Sequence, residues 1–238
     1  MYSDWYIDEI TEPEALRLYI RDKFLVKDSL IELFYRIAYR YRVDMIQAFF
    51  SETRFTLRDL EFTIHRSDTT YHHFIDSVIE EGYVDVMIFL LDFGLDVNYK
   101  FKMYRNESLL MRACFHNKVD IVTLLLARDV DVNSEDDDGN TAILNAMLSS
   151  NEAILDHLFV HGVVLHHKNK RGNGLWTSIP WYRYTIEMQP KFQRLADYGV
   201  PLDEETYERT LSASETKPRM EGLVVIMQEV MRRQGLPI

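Results

Sequence analysis

A single cysteine, Cys114, in 238 residues leaves no intramolecular disulfide framework and suits a reducing compartment. Six Pro and nine Gly are few, and they fall mostly where turns are expected. No apolar stretch approaches the roughly 18 residues of a membrane span. The N-terminus carries Asp4, Asp8 and Glu9 where a signal peptide would need a basic and then an apolar run. A soluble intracellular protein, cytoplasmic or nuclear, is therefore expected. Lys and Arg total 27 against 38 Asp and Glu, a net charge of −11, which disfavours nonspecific adhesion to nucleic acid or anionic membrane and permits a basic partner. Catalytic signatures are missing too: there is no phosphate-cradling loop ending in Lys-Ser/Thr, no His-Glu-x-x-His, no Gly-x-Ser-x-Gly and no dinucleotide fingerprint. Neither an enzyme activity nor a cofactor is expected. An apolar fraction of 47% with mixed charges excludes disorder as the general state.

What the chain does have is recurrence. Val43-Asp44-Met45-Ile46-Gln47-Ala48-Phe49-Phe50 reappears as Val84-Asp85-Val86-Met87-Ile88-Phe89-Leu90-Leu91, as Val119-Asp120-Ile121-Val122-Thr123-Leu124-Leu125-Leu126, and loosely from Glu152 to Phe159. The offsets are 41, 35 and 33 residues, the last two close to the period of a helical solenoid. Each unit of such an array buries its apolar face on its neighbours, and the array offers a surface for gripping other macromolecules.

The best-formed unit runs from Asp138-Gly139-Asn140-Thr141 to Gly162-Val163-Val164-Leu165. Thr141 precedes a short helix with a small residue, Ala146, at the helix contact, and a second helix carries Ile154, Leu155, Leu158 and Phe159 inward. The preceding unit aligns at a spacing of 33, with Ser108 for Thr141, Ala113 for Ala146 and Asn117 for Ser150, and closes with Asp131-Val132-Asn133. One unit further back, Gly94-Leu95-Asp96-Val97-Asn98 ends the second helix, Gly supplying the left-handed conformation that stops it. These features resemble the ankyrin repeat. The departures are the missing Thr-Pro-Leu-His and a hairpin Gly in the expected place in only two units, which predict divergent units and a less stable array.

The resemblance implies an all-α, ankyrin-like helical solenoid with short hairpin connections and helical caps at both ends. Expected boundaries are an N-terminal capping helix over 1–29, about five units over 30–55, 68–99, 103–134, 136–167 and 169–203, and a C-terminal capping helix over 206–238. The connection over 51–70 is about eight residues longer than the repeat requires, and the fifth unit carries a four-residue excess between its helices. In the ankyrin family the hairpin tips and the last turn of each first helix face the partner. That frame assigns a protein partner to Thr69, Thr70 and His72; to Tyr104, Arg105, Glu107, Phe115 and His116; to Asp137, Asp138 and Asn140; and to Lys170, Arg171, Asn173, Trp181 and Tyr182. Tyr, Trp and Arg are the types that dominate interface energetics. Packing of Phe115, Trp181 and Tyr182 under enlarged loops is the competing assignment.

Charge alternates by hairpin, basic at Lys100, Lys102 and Arg105, acidic from Glu135 to Asp138, basic from Lys168 to Arg171, as a partner with matching stripes would require. The acidic run itself is expected to be a solvated tip. The resemblance also makes Asn98 and Asn133, each in a Leu-x-x-x-x-x-Asp-Val-Asn setting from Leu90 and Leu125, candidate sites for asparagine hydroxylation. His157 and His161, four residues apart on one helical face, with His166 and His167 behind them, invite a metal hypothesis, yet further ligands are missing and no metal is expected. Cys114 falls at a small-residue position of a first helix and is expected in the core. The function expected is a non-catalytic adaptor or inhibitor, a monomer or weak oligomer, of the kind viruses and intracellular bacteria direct against host signalling or defence proteins. Alternatives are an acidic nucleic-acid mimic and an enzyme with an unrecognised site near 166–182.

Overall fold

The computed structural model describes residues 10–22, 27–38, 40, 42–56, 63–65, 71–148, 151–179 and 183–237. The chain divides into two compact units, Met1–Asp96 and Val97–Ile238, a division that falls inside the segment 68–99 expected as one repeat.

The first unit contains α1 (Pro13–Asp22), α2 (Lys27–Ala38), α3 (Val43–Glu52), α4 (Phe74–Glu81) and α5 (Val84–Asp92). Helix α3 shows how the octapeptide works. Met45, Ile46, Phe49 and Phe50 recur at helical spacing and are buried. Asp44, in the first turn, suits the positive end of the helix; its hydrogen bond from Arg42 holds the carboxyl below its ordinary range. Helix α1 packs on α3 and is tied to it by a bidentate pair from Arg21 to Glu52 at 2.7 and 2.8 Å. The core is phenylalanine-rich. Phe34 of α2 meets the rings of Phe49, Phe55 and Phe74 at 5.2, 5.4 and 5.0 Å, and such offset or edge contacts add to the apolar burial. Helix α2 starts at Lys27, inside the 1–29 segment expected as the N-terminal cap. From the long connection, β1 (Thr63–His65) pairs antiparallel with β2 (Tyr71–His73), which lies just beyond it.

The second unit opens with β3 (Lys100–Phe101) paired antiparallel to β4 (Glu107–Ser108), then α6 (Leu109–Phe115), α7 (Val119–Leu126), α8 (Ala142–Leu148) and α9 (Glu152–Val160). Ser108 caps α6 by accepting from the Met111 amide at 3.2 Å, and Asn151 caps α9 through the Ala153 amide at 2.9 Å. First helices pack on first helices, α6 on α8, and second helices on second helices, α7 on α9 and α9 on α10 (Gln189–Asp197). Leu109, Leu110, Ala113, Cys114, Ala146, Met147, Ile154, Leu155 and Leu158 are fully buried between them. Burial raises the Cys114 thiol well above its ordinary pKa and leaves it unreactive.

Two expectations need correction here. Among the described residues, the stretch between α9 and α10 holds no first α-helix of a fifth unit, only 3₁₀ turns at Leu175–Thr177 and Ile186–Met188. Buried Trp176 occupies that place instead, stacking on Phe192 at 6.1 Å and donating its indole N–H to the Val200 carbonyl at 3.3 Å. The C-terminal segment, expected as one capping helix, is a packed pair, α11 (Glu204–Glu215) and α12 (Glu221–Gln234). Asp203 caps α11 through the Thr206 amide at 2.7 Å, and Gly235, at φ 70°, ends α12.

Ala113→Trp and Ala146→Trp are each expected to lower stability by about 1–3 kcal/mol or more, because an indole overpacks the α6–α8 contact. Denaturant midpoints measure this. Unchanged midpoints in both variants would place these alanines away from the contact.

Candidate partner-binding surface

Two hairpin tips of the second unit are each built on one side-chain acceptor, Asp136 and Asn169. Asp136 donates its amide to the Asn140 carbonyl at 3.0 Å and accepts the Gly139 amide on its own carbonyl at 3.0 Å. Its carboxylate accepts from the Asp138 amide at 2.8 Å and from the amide and side chain of Asn140 at 2.7 and 2.9 Å. Thirty-three residues on, Asn169 repeats the arrangement: its amide reaches the Asn173 carbonyl at 2.9 Å, and its Oδ1 accepts the Arg171 and Asn173 amides, both at 3.0 Å. Asp136 is thus buried, and the acidic run is not uniformly solvated as its composition suggests. The side chain is consumed in folding its own turn.

Successive tips are stitched together. The Asp137 amide donates to the Arg105 carbonyl at 2.8 Å and the Lys170 amide to the Asp138 carbonyl at 2.9 Å. Side chains link the same tips. Arg105 pairs with Asp138, Asn106 donates to the Asp137 carboxylate at 2.8 Å, Lys170 Nζ donates to the Asp137 carbonyl at 2.6 Å, and Asn169 donates to Asn140 Oδ1 at 2.7 Å. Lys100 Nζ donates to the Glu135 carbonyl at 2.8 Å. Arg105 and Asp138 thus answer one another within the chain, and Lys100 and Lys170 are engaged by backbone carbonyls of the acidic tip. Gly139 lies against the following tip. At φ 75° it is left-handed, and a Cβ there would lie 3.1 Å from the Lys170 amide nitrogen.

Beside the tips lies a cluster that composition did not reveal. Arg112, in the last turn of α6, is buried; its guanidinium lies 4.2 Å from the Tyr104 ring centre, pairs with Glu107 at 3.2 Å and meets His116 Nε2 at 2.8 Å. The Phe115 ring is 5.3 Å away and packs edge-on to His116 at 5.2 Å. Tyr104, Glu107, Phe115 and His116, chosen one by one from the repeat frame, thus converge on one cation. Low exposure strengthens these contacts relative to pairs in water. The Arg112–His116 spacing of four on one helix was the signal available in the sequence.

The other predicted positions divide. Asn140, Lys170 and Asn173 serve the tips, while Arg171 is exposed with only its amide engaged. His72 lies in β2 opposite Ile64, within the first unit. Thr69, Thr70, Trp181 and Tyr182 fall outside the described residues. Asn98 accepts the Asp131 amide at 2.8 Å, and Asn133 accepts the Val164 amide at 2.8 Å while donating to the Gly162 carbonyl at 3.2 Å. Both candidate hydroxylation sites are therefore tied into the following loop. His161 Nδ1 is engaged by the His157 carbonyl at 2.7 Å and His167 Nε2 by the Gly139 carbonyl at 2.7 Å. Among the described residues no three His, Cys, Asp or Glu side chains converge to hold a metal.

Residues 74–169 match the family model for ankyrin repeats, three copies. A curated ankyrin repeat protein of fowlpox virus (strain NVSL) is 29% identical over 128 residues, covering 53% of this chain and 38% of the relative. The chain spans less than half of that relative's length.

Asp136→Ala is expected to destabilise the protein by about 2–3 kcal/mol, since it strips three donors of one partly buried, charged acceptor. Asp137→Ala, at an exposed tip, should change stability by less than about 1 kcal/mol. Urea denaturation of the two variants side by side checks the contrast; equal losses would mean the buried acceptor does not set the tip.

Proposed function

Given that the chain belongs to the ankyrin-repeat family through residues 74–169, we propose that it binds another protein on the surface formed by the ends of α6 and α8 and the adjoining hairpin tips. One observation carries this. Phe115 and Leu148 occupy equivalent positions, 33 residues apart, at the last turn of two first helices that pack together, and they are 53% and 46% exposed. Neither ring nor isobutyl group has any role in the core. Met103, 44% exposed, stands on the hairpin before α6. Paired large apolar groups held in water on a folded scaffold mark an association surface. The Tyr104–Arg112–His116 cluster beneath Phe115 fixes that ring before any partner arrives, which reduces the ordering needed on binding.

The family is generally a non-catalytic interaction module. In the proposed role the chain is an adaptor or inhibitor that occludes its target inside the cell, and the viral relative favours a host protein as that target. His167 and Lys170, central to the enzymatic alternative near 166–182, are both committed to backbone carbonyls of the preceding tip. An apolar anchor pair also favours a protein partner over nucleic-acid mimicry, which relies on charge.

Affinity purification from the native cell followed by mass spectrometry identifies the partner. Phe115→Ala and Leu148→Ala should then each weaken the complex by about 1–4 kcal/mol with little change in melting temperature. Val160→Ala, at a 74% exposed position ending α9, is the control and should leave affinity unchanged. Calorimetric titration of the three variants decides the matter: wild-type affinity in both helix-end variants would move the interface elsewhere, and a steep loss of wild-type affinity with salt would favour mimicry.

A further inference from the structure

Lys191, on α10, is 4% exposed. Its Nζ donates to the Met147 carbonyl at 2.9 Å. That carbonyl belongs to the last turn of α8, and a helix leaves its final carbonyls without intrahelical donors and ends in partial negative charge. Leu148, 46% exposed, is the next residue. The equivalent turn of α6 is closed differently. Cys114 stands 33 residues before Met147, and its carbonyl accepts the Asn117 amide at 3.1 Å. Asn145 takes in α8 the place that Arg112 has in α6, and donates to the Met111 carbonyl at 3.4 Å. Each exposed apolar group of the surface thus has a buried cation behind it. Phe115 has Arg112 of its own helix, and Leu148 adjoins a turn held by Lys191 from α10.

Burial lowers the pKa of the Lys191 ammonium from its ordinary value, and the charge of Glu152 only partly opposes this. Charge on Lys191 therefore destabilises the folded state on balance. A methionine of similar length would fill the same space without that penalty. What the ammonium supplies, and a methionine lacks, is a donor for the end of α8. We infer that Lys191 is a positioning residue for the partner-binding surface: from inside the core it holds the last turn of α8, and so fixes Leu148 for a partner that Lys191 does not itself touch. This rests on the role proposed above for Leu148. An anchor fixed in advance needs less ordering on binding.

Amide hydrogen exchange in the full chain tests the hold on α8 without a partner. Lys191→Met should speed exchange at Met147 and Leu148 about tenfold, the effect of one charge-assisted hydrogen bond on a local opening. Exchange at Cys114 and Phe115 should not change, and the melting temperature should move by less than about 4 °C. Lys191→Arg, which keeps a donor, should leave Leu148 exchanging more slowly than Lys191→Met does. With the partner protein recovered by affinity purification, Lys191→Met should weaken the complex about fivefold, the ordering of one side chain. In the Leu148→Ala background it should weaken the complex no further, since the group it positions is gone. Wild-type exchange in Lys191→Met, faster exchange throughout the second unit with a larger fall in melting temperature, or additive losses of affinity in the double variant each overturn the inference. If Leu148→Ala spares affinity while Lys191→Met still loosens the end of α8, the surface itself is misassigned, and the role of Lys191 in binding falls with it while its hold on the helix stands.

Discussion

Register between hairpin tips is what the rest of the second unit depends on. A tip that places its Asp137 amide on the Arg105 carbonyl, and its Asp138 carbonyl under the Lys170 amide, fixes three consecutive turns at one offset. Once the turns are fixed, the short helices that follow have no freedom to slide. Each is only seven to nine residues long in α6 to α9, too short to be stable in isolation. Their order comes from being launched at the right height and then packed, α6 against α8 and α7 against α9. The buried carboxylate of Asp136 and the amide of Asn169 shape the turns that make this possible.

That arrangement also separates structural polarity from functional surface. Charges at the tips are largely spent on their neighbours: Arg105 on Asp138, Lys170 on a backbone carbonyl, and Arg112 on Glu107 and His116. An exposed pair such as Arg105–Asp138 contributes little stability by itself, whereas the Arg112 cluster is buried and its contacts are stronger. Phe115 and Leu148 stand out on this face as large apolar groups left half in water. Selectivity on such a face comes from shape and from the fixed Tyr104–Arg112 platform more than from charge.

Much of the fold was legible in the sequence. The octapeptide spacing located α3, α5, α7 and α9, and the small residues Ala113 and Ala146 marked the helix contact, because apolar periodicity reports burial directly. The site was legible residue by residue but not as a constellation. Buried Arg112 becomes intelligible only when Glu107, Tyr104 and His116 surround it. Asp136 looked like its acidic neighbours, since composition cannot say which of four adjacent side chains turns inward. Helix α11 was hidden for a related reason: from Glu204 to Glu215 it buries little beyond Thr206 and Tyr207, so it carries no apolar stripe to read. Leu175, Trp176, Ile179 and Tyr184 misled in the opposite direction, filling core without forming an α-helix.

The Arg105–Asp138 pair, which joins tips of unlike charge at an offset of 33 residues, bears on how the array can evolve. Tandem duplication is the ordinary way for a repeat protein to lengthen. Copying the segment that begins at Asp136 would set one acidic tip directly over another, with Asp137 and Asp138 facing their own duplicates and like charges opposed across the ladder. The repeats are therefore not interchangeable tiles. The tip at Arg105 carries a charge completed by Asp138 in the next, so substitution of either is constrained by the residue one period away, and growth by copying the acidic tip is electrostatically opposed.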